Sequence, residues 1–136
     1  MPKFSLLVLL VCIAVTNGCS QKNDQAPLIT DIKTSSKFLA KSDCLNTSET
    51  VTANITDDTS VKSVALWYRI GQDQKFSSAP MKHEAGDTFG TTLIALDIPG
   101  GEYGTLEFYI VAEDEAGNQS KSRVDTSVQL LACVAN

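Results

Sequence analysis

Two segments of this chain alternate strictly between apolar and polar side chains, and that period of two dictates most of what the chain can fold into. Over residues 62–70, Val64, Leu66, Tyr68 and Ile70 share one side, while Ser63, Ala65, Trp67 and Arg69 share the other. Over residues 106–113, Leu106, Phe108, Ile110 and Ala112 oppose Glu107, Tyr109, Val111 and Glu113. An extended backbone sends successive side chains to opposite faces, whereas a helix would scatter these residues around its circumference. One dry face and one wet face describe an antiparallel sheet that covers a core on a single side.

The same pattern extends to the rest of the chain. Over residues 49–56, Val51, Ala53 and Ile55 oppose Thr52, Asn54 and Thr56. Near the C-terminus Val124, Thr126, Val128 and Leu130 oppose Arg123, Asp125, Ser127 and Gln129. Residues 89–98 give a further strand, but the run Leu93-Ile94-Ala95-Leu96 leaves its facing open. Leu28, Ile29 and Ile32 suggest an irregular first strand, followed by a polar connection up to Asp43. Phe76 and Met81 bracket a short edge segment containing Pro80, whose missing amide costs least at an edge. Between these segments lie turn clusters: 57–60, 71–74, 85–87, 99–101 and 114–118, the last with a Gly-Asn pair that tolerates positive φ. No window reads as an amphipathic helix. Short alternating strands punctuated by turns predict an all-β sandwich.

The 136 residues suffice for one domain once the N-terminus is set aside. Lys3 followed by the apolar residues 4–15 reads as a cleavable export signal, because a permanent span needs about 20 apolar residues. Residues 20–26 are polar and without period, so residues 19–27 are expected to form a flexible tether and residues 28–136 the domain. Residues 1–18 hold one of the 11 basic residues and no acidic one, so their removal takes the net charge from −5 to −6. A distributed acidic surface works against nucleic acid as a ligand.

At the C-terminal edge of the export signal stands Thr16-Asn17-Gly18-Cys19. This resembles the lipobox of bacterial lipoproteins, and the resemblance implies lipidation of Cys19 and a lipid-anchored protein of the bacterial cell envelope. Ordinary secretory cleavage and an uncleaved anchor are the alternatives. Three further stretches resemble bacterial immunoglobulin-like and fibronectin type III-like modules: the aspartate-rich turn and strand from Asp57 to Arg69, Ile98-Pro99-Gly100, and the strand and hairpin from Phe108 to Asn118. That resemblance, over residues 28–132, implies an immunoglobulin-like β-sandwich of about seven strands with Greek-key connections. Such modules serve as spacers, as adhesive or carbohydrate-associated domains, and as small lipoproteins.

Cys44 and Cys133 are then the cysteines left in the domain. An oxidising compartment favours a disulfide between them, with two buried free thiols as the alternative. In the immunoglobulin-like arrangement both lie at one end, and the bridge is expected to pin the last strand near the tether. No Cys-x-x-Cys or activating neighbour accompanies either, which makes the bridge structural.

Nothing in the pattern supports an enzyme or a cofactor. His83, the one histidine, lies in the 80–86 connection without a serine elbow. Asp57, Asp58, Asp114 and Asn118 fall in two loops expected at one end, where they could hold calcium, yet such residues are the ordinary chemistry of turns, and no metal site is expected. The strongest functional signal is aromatic. If residues 62–70 and 106–113 are neighbouring strands, Trp67 and Tyr109 project from the outer face beside Arg69, Glu107 and Val111. An aromatic platform rimmed by polar groups suits sugar rings or a partner protein. The expectation is a monomeric envelope lipoprotein held by membrane lipid through Cys19, binding a glycan or envelope protein through Trp67, Tyr109 and Arg69. The alternative is a structural accessory or spacer in an envelope assembly; for the aromatic pair itself the alternative is that the rings pack on each other or under the C-terminal tail and protect the sheet face, or that a bulge at Trp67 turns it into the core.

Overall fold

The computed structural model describes residues 25–42 and 46–133, and they form an all-β fold of two sheets around one core. The strands are β1 (Leu28–Thr34), β2 (Phe38–Leu39), β3 (Ser48–Thr56), β4 (Val61–Ile70), β5 (Ser77–Pro80), β6 (Lys82–Ala85), β7 (Thr88–Ile94), β8 (Gly104–Asp114), β9 (Gln119–Lys121) and β10 (Asp125–Leu130). One sheet has the order β1-β3-β7-β6; the other runs β2-β10-β8-β4-β5, with β9 paired to β8. All pairings are antiparallel except β2 with β10. Among the described residues no helix is long and apolar enough to cross a membrane.

The strands whose alternation is unbroken behave as the period demands. Along β8 every second side chain is buried, with Leu106, Phe108, Ile110 and Ala112 fully so. Val51, Ala53 and Ile55 of β3 meet them from the other sheet. Each large apolar side chain removed from water in this way contributes about 1.5–3 kcal/mol. Tyr68 of β4 packs against the core without being sealed into it.

Among the described residues ten strands stand where about seven were expected, because the chain changes sheets and interrupts strands more often than its turn residues announce. Residues 77–85 leave one sheet at Met81 and enter the other, giving β5 and β6. The polar connection after β1 contains β2, whose Leu39 is fully buried. Residues 95–97 form a 3-10 turn, so the expected strand over 89–98 ends at Ile94. The last strand is interrupted: β9 and β10 follow each other along β8, and the register slips between Asp125 and Val128. Val128 and Leu130 point inward as expected, but Val124 precedes β10 and remains about half exposed at 48%.

A further correction concerns the two ends of the fold. Leu28 pairs with Thr56, so the chain enters beside the 57–60 turn, near the β8–β9 turn. Cys133 follows Leu130, which pairs with Gly104 at the opposite end. The antiparallel register of β1 on β3 therefore separates the entry point from Cys133 instead of placing them together.

Candidate functional site

The register of β4 on β8 sets Trp67 directly opposite Tyr109 and Arg69 opposite Glu107, on the face away from Leu66 and Ile110. The two aromatic rings are parallel to within 3°, with centroids 6.2 Å apart. Phe76, immediately before β5, reaches across β4 and meets Tyr109 edge-on at 4.9 Å. Offset and edge-on contacts are the favoured geometries for rings with electron-rich faces and electron-poor edges. All three rings are half-buried, less exposed than a freely projecting pair would be.

Cations complete the layer, since an electron-rich ring face attracts positive charge. The Lys121 ammonium lies 3.7 Å from the Tyr109 centroid, and the Arg69 guanidinium 4.4 Å from that of Phe76. Arg69 also forks onto Glu107, with Nε and Nη2 donating to Oε2 at 2.8 and 2.6 Å, and it donates from Nη1 to the Gln72 and Gln74 carbonyls. This planar, multiply bonded geometry holds Arg69 in place and fixes one edge of the aromatic group. Further along the face Lys62 donates to Glu113 at 2.6 Å, as does Gln119. The Lys62 and Gln119 hydrogen bonds hold the Glu113 carboxyl below its usual range, and the bond to Glu113 raises the Lys62 amine.

No protein-family model matches this chain, and neither does any curated protein.

Of the residues expected at the site, the structure brings Trp67, Tyr109 and Arg69 together, with Glu107 and Val111 beside them. Phe76 and Lys121 belong to the same group and were not anticipated. Extending the alternation beyond Asn118 would have placed Lys121 opposite Val111. Phe76 carried no comparable signal, because its contact crosses an entire strand. Cys19 and Cys44 lie outside the described residues. The Cys133 sulfur is 3.9 Å from the Ser42 carbonyl oxygen, and Leu131 donates to Leu39, so the chain end runs beside the segment leading to Cys44.

The acidic loops do share one end: Glu115 donates its amide to Ser60. Their carboxylates serve the turns. Asp57 Oδ1 accepts from the Thr59 amide and hydroxyl at 2.9 and 2.7 Å. Asp114, fully buried, accepts from the Asn118 amide and side chain, both at 2.8 Å. Burial pushes the Asp114 carboxyl up, but bonds from the Asn118 side chain and the backbone of Asn118, Gly117 and Ala116 outweigh it, leaving the group below its ordinary range. Among the described residues no three His, Cys, Asp or Glu side chains gather as a metal site would require. His83 sits on β6, not in a connection, within an open cleft of 490 Å³ that also contacts Ile55, Asp57, Asp87 and Phe89. Its Nε2 lies 2.6 Å from the Gly86 carbonyl, and its ring stands edge-on to Phe89.

Proposed function

We propose that this is an exported, lipid-anchored envelope protein without enzymatic activity, whose immunoglobulin-like sandwich binds a glycan or an envelope protein through the outer face of the β8–β4 sheet. The carrying observation is the aromatic group of Trp67, Tyr109 and Phe76 on the solvent side of that sheet, held by Arg69. Rigid rings with a fixed rim lose little freedom when they contact a ligand, which favours binding. Export and lipidation at Cys19 rest on the N-terminal pattern. The immunoglobulin-like assignment rests on the motifs between Asp57 and Asn118 and agrees with two largely antiparallel sheets around one core. A Cys44–Cys133 bridge is supported by the closeness of Ser42 to Cys133. Binding screens of glycans, peptidoglycan and envelope proteins, run on the wild type and on Trp67→Ala, test the reading. A ligand lost in the variant supports it; equal binding by both contradicts it.

One observation favours the alternative of a structural accessory. The rings contact one another, and Lys121 and Arg69 lie over two of them, as in a group that seals a sheet face. Under that reading, purification from membranes yields a stoichiometric partner while isolated glycans are ignored.

A further inference from the structure

We infer that the ligand of this face is an acidic polysaccharide, a chain of pyranose rings bearing carboxylate groups; the inference rests on the binding role proposed above. Its basis is a local reversal of charge. The chain as a whole carries −5, yet the outer face around the aromatic group gathers Lys62, Arg69 and Lys121 against Glu107 and Glu113, with the exposed Arg123 two residues beyond Lys121. Both carboxylates are already engaged, Glu107 by Arg69 and Glu113 by Lys62 and Gln119. Lys121 and Arg123 have no carboxylate within ion-pair distance among the described residues.

The position of these two cations matters as much as their number. Lys121 pairs with Val111, next to Tyr109 on the outward side of β8, and Arg123, also exposed, lies two residues further on between β9 and β10. Lys121 is exposed and rests on the Tyr109 ring. An exposed cation–ring contact is weak, so an anionic group can draw the ammonium away and open the ring face beneath it. A ligand that brings a flat C–H face together with an acid group satisfies both ring and cation in one movement. A pyranose carrying a carboxylate has both features. An acidic peptide provides the charge without the ring face; a single-stranded nucleic acid provides rings and charge together and is the competing outcome of the test below.

The test uses the full-length protein in detergent and two polymers of the same backbone: polygalacturonate and its fully methyl-esterified, neutral form. Polygalacturonate is expected to bind about fivefold tighter or more, a preference that added salt reduces. Lys121→Gln with Arg123→Gln is expected to abolish the preference without lowering the melting temperature, and Trp67→Ala to weaken both polymers. Equal affinity for the two polymers, or tighter binding of single-stranded DNA, overturns the acidic-glycan assignment while leaving the binding face standing. Failure of both polymers to bind overturns the inference. Binding of either that is indifferent to Trp67→Ala removes the face itself.

Discussion

Glu49 shows how much a single side chain can organise. It lies fully buried in β3, and its Oε1 accepts from the Ser35 amide and hydroxyl and from the Ser36 amide, at 2.6, 2.9 and 3.1 Å. It thereby fastens the passage from β1 to β2, where the chain changes sheets. Replacing it with Ala removes these charge-assisted bonds, and urea unfolding of Glu49→Ala is expected to show a loss of about 2 kcal/mol. The inward direction of Glu49 was legible from Val51, Ala53 and Ile55, but not its partners, which sit across a strand pair with an irregular register between Thr30 and Lys33. Asp114 is the corresponding fastener of the β8–β9 turn, where Gly117 takes φ 91°. Its folded carboxyl titrates below the ordinary range, so its contribution is present above that range and is lost as pH falls through the folded value. The Asn118 amide resonance should therefore shift in acid, and the shift should vanish in Asp114→Asn. The Asp-to-Asn spacing reads in the sequence as turn chemistry, with calcium as the alternative; the paired 2.8 Å contacts show how the carboxylate serves the turn.

At the level of elements, legibility followed burial on one face. β3, β4 and β8 each keep a dry side and a wet side, so their facing could be read from the order of apolar and polar residues. Phe108 is the largest fully buried side chain of that set. Phe108→Ala should cost about 4 kcal/mol, measured as a lower denaturation midpoint with an unchanged slope. Elements that change sheets escaped the reading. Residues 77–85 cross between sheets at Met81, which is buried, and a crossing strand has no constant dry side to reveal its period. The run 93–96 misled for another reason. Leu93 and Ala95 are buried but Ile94 and Leu96 are exposed, so apolar composition hid an alternation that ends in a 3-10 turn. The outward direction of Trp67 could be read because β4 and β8 both keep the period, whereas Phe76 was invisible because its contact with Tyr109 crosses an entire strand.

Considered as a whole, the fold has a chain-entry end at the 57–60 turn and a closing end at Cys133. A Cys44–Cys133 bridge would tie the closing end and constrain a long loop of the unfolded chain, which the chain-entropy estimate values at about 4 kcal/mol. Thermal unfolding with and without reductant should register a loss approaching that value, and Cys44→Ser should abolish the difference. Between the two ends stands the outer face of the β8–β4 sheet, on which the functional account depends. Trp67 is the single tryptophan of the chain, so emission excited selectively at the indole reports on that face alone. Titration with a ligand recovered from the binding screens is predicted to change its emission saturably, with the same midpoint as binding. A ligand that binds while the Trp67 emission stays unchanged would contradict the account.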